Sequence, residues 1–247
     1  MSVFHFKRFS VVNERSAMKV NTDGVLLGAL MSVRRGDCRL LDIGTGTGTI
    51  ALMAAQRLED LADRTTIPHI DAIDIDEPSA SEAAANFASS PWSEILTAHH
   101  SSLDSFAESH SKEQDVYDLI FSNPPYFEDS LTAPDQRKST ARHTSEGLSY
   151  RDILEFASGR LSENGRVALV LPADQEASLC RYARMCGLHL NRMTRIRTVP
   201  RKAPSRMVAE FSRSRIDAPQ DSVLTIQNEG QYTQEYLSLM KDFYLFA

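Results

Sequence analysis

The tetrapeptide Asn123-Pro124-Pro125-Tyr126 follows an apolar run at residues 117–121 and holds groups suited to handling a reluctant amine. An amino group conjugated to an aromatic ring is a poor nucleophile, because its lone pair is delocalised into the ring. The Asn123 side-chain oxygen and the Pro124 carbonyl could each accept one of its N–H bonds, drawing the nitrogen toward tetrahedral geometry and exposing the lone pair. Proline after Asn123 favours an extended backbone there, and neither proline brings a competing N–H. Tyr126 could stack on the ring that bears the amine, an interaction worth ~1–3 kcal/mol per base. Such chemistry depends on positioning more than on a strong base. Asn-Pro-Pro in isolation can also be an ordinary turn, so its surroundings decide.

A second constellation, Asp42-Ile43-Gly44-Thr45-Gly46-Thr47-Gly48, lies between a predicted strand and a predicted helix. Glycines there allow a sharp turn and a close ligand approach. The spacing is wrong for the dinucleotide pattern G-x-G-x-x-G, since Thr49 follows Gly48. The D-x-G-x-G-x-G form instead resembles motif I of class I methyltransferases. In that family Asp42 and Gly44, Gly46 and Gly48 would hold the methionine part of S-adenosylmethionine, the acid facing the cationic amine. The next predicted strand places Asp74 and Asp76 at its carboxyl end, where open α/β sheets bind ligands. The resemblance assigns Asp74 to the two ribose hydroxyls. Asp76 is the alternative, or simply caps the helix that follows.

Those positions require a frame of parallel strands with crossover helices, and the pattern supplies one. Strands are predicted at 39–43, 69–75, 94–98, 117–121 and 166–171, and helices at 49–58, 78–88, 149–160 and 174–185. Two more strands, 188–199 and 207–213, have no room for a helix between them and should form an antiparallel hairpin. The expected architecture is one domain over 1–247, with residues 59–66 and 101–111 as surface connections. A chain of 247 residues can bury the core this needs.

The net charge of −6 conceals an asymmetry. Residues 181–215 carry ten basic side chains and one acid, Glu210, so this stretch is +9 and the remainder −15. A polyanion such as RNA would find a footprint there, centred on Arg201, Lys202 and Arg206. The same charges could also be a solvated face. Cys38, Cys180 and Cys186 are too few and too badly spaced for a zinc site, and His99-His100 lacks partners at ligand spacing, so no metal is expected. No run of 18 apolar residues suggests a membrane span. Free thiols and the lack of a signal-like apolar segment point to the cytoplasm.

Beyond this core, Phe4-His5-Phe6-Lys7-Arg8-Phe9 and the stretch from Met18-Lys19-Val20-Asn21-Thr22-Asp23 to Gly28 resemble the opening of bacterial tRNA1(Val) (adenine(37)-N6)-methyltransferases. Arg142-His143, Leu169-Val170-Leu171-Pro172, Tyr232-Thr233 and Lys241-Asp242-Phe243-Tyr244 extend the resemblance along nearly the whole chain. It implies a Rossmann-like α/β fold with a mostly parallel seven-stranded sheet, one strand antiparallel, helices on both faces, and residues 1–30 as a cover over the cofactor pocket. It also implies tRNA as partner and N6 of an adenine as target. Lys19 and Thr22 would lie near the cofactor, and Arg142 and His143 near the RNA. Two departures stand out. Asn21 occupies a position where glycine is expected, and Ser102 one where an acid would contact the cofactor adenine, leaving Asp104 as a substitute. Protein glutamine and rRNA guanine methyltransferases share the tetrapeptide and are the nearest alternatives. A non-catalytic nucleotide- or RNA-binding module is a more distant one.

Overall fold

A computed structural model describes residues 2–61, 67–110, 116–125 and 147–247. The chain opens with a hairpin, β1 (Val3–His5) and β2 (Ser10–Val12), and helix α1 (Thr22–Leu30). Alternating strands and helices follow: β3 (Arg39–Ile43), α2 (Thr49–Asp60), β4 (His69–Asp74), α3 (Glu77–Ala88), β5 (Leu96–His100), α4 (Leu103–Ser109), β6 (Tyr117–Ser122), α5 (Tyr150–Arg160), β7 (Leu161–Pro172) and α6 (Glu176–Met185). The chain ends with β8 (His189–Arg197), β9 (Arg206–Ser212), β10 (Gln220–Thr225), a short hairpin of β11 (Gln227–Asn228) and β12 (Gln231–Tyr232), and α7 (Gln234–Met240).

The central sheet runs β10-β8-β9-β7-β6-β3-β4-β5. All its pairings are parallel except the two made by β9, which runs against both β7 and β8. The expected hairpin is therefore present, and β9 is the single antiparallel strand. The sheet has eight strands rather than seven. β10 adds parallel to β8 and buries one residue fully, Leu224. An edge strand with so little apolar patterning leaves no period-2 signal. The stretch 101–111, read as a connection, contains α4, which buries Phe106 and is capped by Ser102.

Side-chain alternation along the buried strands sends neighbours to opposite faces. In β3, Leu40 packs into the cluster built with α1, α2 and α7, while Leu41 and Ile43 pack into the cluster built with α5 and α6. Asp42 shares the Leu40 face, directly beneath α2. From β3 the chain moves outward through β4 and β5, then returns to place β6 on the other side of β3. This reversal of strand order opens a crevice at the carboxyl ends of β3, β4 and β6, the position where open α/β sheets take ligands.

Candidate active site

The glycine turn leaves β3 with Gly44, Gly46 and Gly48 all at positive φ. Gly48 is also fixed by space, since a Cβ there would stand 2.5 Å from the Phe87 ring on α3. Below the turn, Asp42 is fully buried. Its Oδ2 accepts from the Thr45 hydroxyl at 2.8 Å, and the carboxylate also accepts from the Ala51 N–H in α2. Its Oδ1 has no hydrogen-bond partner among the described residues. Burial, reinforced by the nearby Asp74 charge and only partly offset by the Thr45 and Ala51 bonds, pushes its pKa up to about 7. An unpaired buried carboxylate oxygen is costly, and a cation at the turn would relieve it.

Asp74 stands at the end of β4, where the sequence placed it. Its Oδ2 accepts from Gly46 N–H and its Oδ1 from Asp76 N–H, at 2.8 and 2.9 Å, so it ties the glycine turn to the loop after β4. Burial raises its pKa against these two bonds. Asp76 serves as the N-cap of α3, accepting from Ser79 N–H and the Ser79 hydroxyl. Ser102 reaches the same edge of the sheet but caps α4 through Ser105 N–H, and Asp104 is exposed in that helix's first turn.

Residues 12–21 cross this edge as a strap, anchored by a polar stripe on α3 that the sequence reading missed. Glu82 accepts from the N–H groups of Glu14, Arg15 and Ser16. Burial alone would raise its pKa, but those three donors outweigh burial and lower it. Asn86 accepts from Val12 N–H and donates to the Val12 and Thr47 carbonyls, joining the strap to the glycine turn. Ser79, Glu82 and Asn86 recur at helical spacing among alanines, a polar stripe that could have signalled a buried partner. Lys19 bends back onto the Asn13 and Glu14 carbonyls, and Thr22 is exposed at the start of α1.

Strap and turn enclose a cleft of about 30 Å³ lined by Met18, Lys19 and Asn21, by residues 44–47, and by Asn123. Asn123 is 8% exposed. It is held at the end of β6 by Ser122, whose hydroxyl donates to the Ile43 carbonyl at 2.6 Å and so locks the ends of β6 and β3 together. Pro124 is buried and Pro125 exposed. Tyr126, Arg142 and His143 lie outside the described residues. The fold thus brings Asn123 and the glycine turn, separated by about eighty residues of sequence, to one cleft.

Several charges of the basic stretch are turned inward. Arg195 pairs with Glu176 and Asp221, Arg206 pairs with Asp23 at 2.8 Å, and Arg192 bonds the Leu30 carbonyl beside Glu210. Those charges are largely answered inside the protein. Arg201 and Lys202 differ: they occupy the exposed turn between β8 and β9, with no side-chain hydrogen bond or ion pair to the described residues. Because β8 runs with the other parallel strands, that turn overhangs the same carboxyl edge as Asn123. Among the described residues there is no cluster of three or more His, Cys, Asp or Glu able to hold a metal, and no helix long and apolar enough to cross a membrane.

Residues 16–180 match the Methyltransferase small domain family. Among solved structures, the fold is similar to a predicted O-methyltransferase from Agrobacterium tumefaciens, with TM-score 0.63 and 19% identity over 90% of this chain and 96% of that one. A SAM-dependent methyltransferase from the same organism aligns with TM-score 0.57 and 13% identity, over 86% of this chain and 70% of that one. Similarity in sequence is much closer to two proteins named tRNA1(Val) (adenine(37)-N6)-methyltransferase. One, from Parabacteroides distasonis, is 43% identical over 98% of this chain and 97% of its own. The other, from Flavobacterium psychrophilum, is 38% identical over 98% of this chain and 99% of its own. Identity at this level across both full lengths means that the chain belongs to the tRNA1(Val) (adenine(37)-N6)-methyltransferase family.

Proposed function

We propose that this protein transfers the methyl group of S-adenosylmethionine to N6 of adenosine 37 in tRNA1(Val). The observation that carries this reading is the meeting of Asn123 and the glycine turn at one cleft, in a chain that aligns end to end with relatives named for that reaction. The residues suit the cofactor. Asp42 offers a buried, unpaired carboxylate oxygen beneath the turn for the cationic amine. Asp74 uses two of its roughly four lone-pair sites on backbone N–H groups and keeps capacity for the ribose diol. Lys19, Thr22 and Ser102 surround this edge from the strap, the start of α1 and the end of β5. When bound, the cofactor supplies an electrophilic methyl on a sulfonium.

The chain's own task is to orient the amine. Asn123 Oδ1 and the Pro124 carbonyl accept from the two N–H bonds of N6, Tyr126 stacks on the adenine, and the nitrogen sheds a proton to solvent after transfer. Arg201 and Lys202 meet phosphates at the rim, and the family resemblance adds Arg142 and His143, outside the described residues, as further RNA contacts.

Nucleoside mass spectrometry of unmodified tRNA1(Val), incubated with the protein and cofactor, tests the reading. N6-methyladenosine at position 37 is expected. N2-methylguanosine, or methylation of a protein glutamine instead, would overturn the assignment of substrate.

Two further results are expected. Asp42 must ionise to hold the amine, and its pKa stands at about 7, so cofactor affinity should be about tenfold weaker at pH 6 than at pH 8. Asp42→Asn should bind weakly at both pH values. Calorimetry showing a flat pH profile for the wild type would remove Asp42 from the amine site. In Arg201→Glu/Lys202→Glu, tRNA affinity should fall, and the slope of log K against log salt should shrink by about 0.7–0.9 for each lost phosphate contact. Cofactor affinity should hold. Wild-type affinity and slope in this variant would make the turn a solvated face.

A further inference from the structure

Asn123 can serve an amine only if its amide is turned the right way. A side-chain amide carries an acceptor at one end and two donors at the other. The target N6 is a donor, so the carbonyl end must face it. A flipped amide would set donor against donor. Something in the protein must therefore hold the NH2 end elsewhere.

The structure places that end against the strap. Asn123 Nδ2 lies 3.5 Å from Asn21 Oδ1 and 3.6 Å from Met18 Sδ. Both neighbours are acceptors, and sulfur is a weak one. Asn21 is itself oriented from the backbone. It is the N-cap of α1, its Oδ1 accepting from Gly24 N–H at 2.8 Å and its Nδ2 donating to the Lys19 carbonyl at 3.0 Å. Turning Asn21 over would break both bonds. The start of α1 thus fixes Asn21, and Asn21 presents an oxygen to the NH2 end of Asn123.

We infer that Asn21 is a positioning residue that sets the amide orientation of Asn123 and so reserves its carbonyl oxygen for the target amine. This rests on the catalytic reading of Asn123 and adds a residue to it. Loss of this single neutral contact should lower kcat about three- to tenfold.

The capping role would mask this effect unless the two are separated, and residue choice separates them. Serine caps a helix about as well as asparagine, as does aspartate. Serine is one carbon too short to meet Asn123, whereas aspartate keeps an oxygen at the same reach. The experiment measures kcat and KM with unmodified tRNA1(Val), cofactor affinity by calorimetry, and Tm, for Asn21→Ser, Asn21→Asp and Asn21→Ala beside Asn123→Ala. In the expected result Asn21→Ser keeps Tm and cofactor affinity but loses kcat three- to tenfold, and Asn21→Asp recovers most of that loss. The inference is overturned if Asn21→Ser turns over like wild type while Asn123→Ala is inactive. It is equally overturned if all three variants lose kcat in proportion to Tm, which is the signature of a cap alone. Near-normal turnover in Asn123→Ala would instead remove the catalytic reading, and this inference with it.

Discussion

Asn123→Ala should lower kcat for N6 methylation by about 10²–10³ and leave cofactor affinity within about twofold of wild type, the loss being that of one preorganised polar group at a reacting centre. The reason lies in what the side chain has to do. N6 of adenine holds its lone pair in the ring, and an acceptor on each N–H is what releases it. Removing the Asn123 oxygen leaves the Pro124 carbonyl as a single acceptor, so the amine can rotate back toward the plane of the ring. The backbone should not collapse in response. Ser122 bonds the Ile43 carbonyl independently of the Asn123 side chain, and Pro124 holds the preceding residue extended. Cofactor affinity should persist because the glycine turn, Asp42 and Asp74 belong to β3 and β4 and their own loops. Single-turnover rates with tRNA1(Val), paired with calorimetry on the cofactor, separate the two effects. A rate near wild type would end the assignment of Asn123 as the amine's acceptor. A parallel collapse of cofactor affinity would mean that the residue supports the pocket and not the target.

Local chemistry was legible in the sequence and long-range chemistry was not. Asp42, the glycines, Asp74 and Asn123 each sit at the end of a strongly apolar strand, so periodicity and turn residues were enough to place them on one edge. The strap's anchor on α3 was missed because Glu82 and Asn86 are far from residues 12–16 in sequence, and polar residues on a helix read by default as exposed. The basic stretch shows the same limit from the other side. Its +9 counts charges but not their partners, and Glu176, Asp221 and Asp23 arrive from other elements to answer Arg195 and Arg206. Arg201 and Lys202, in the turn between β8 and β9, stay exposed at the carboxyl edge of the sheet, and they are the charges proposed to meet a polyanion. β10 escaped because an edge strand needs little burial.

Arg166 is the strongest case of hidden wiring, and its removal should be the most destabilising change described. It opens the central run of β7 and reads in sequence as the polar end of a strand, yet it is 1% exposed. All five of its N–H donors are used. Nη1 and Nη2 grip Asp37 in a bidentate pair at 2.7 and 2.6 Å, Nη1 also reaches the Asp118 carbonyl, Nε reaches the Ser32 hydroxyl, and Nη2 the Ser32 carbonyl. Ser32 in turn donates its N–H and hydroxyl to Glu210. This network clamps the far end of α1, the helix whose first turn carries Asn21 and Gly24 in the cleft. Arg166→Met would leave the Asp37 carboxylate buried without its cation, which costs about 3–5 kcal/mol. For a chain of this size that is a fall of roughly 10 °C in Tm. Arg166→Met/Asp37→Leu should recover part of the loss, because a buried pair exchanged as a unit for apolar groups is far less damaging than a pair broken in half. At temperatures where Arg166→Met remains folded, the chemistry at Asn123 should be little changed, since the network lies at the opposite end of α1. Denaturant titration of the two variants decides the matter. A loss below about 1 kcal/mol in Arg166→Met, or a double variant worse than the single one, would show that the ion pair does not hold this end of the helix.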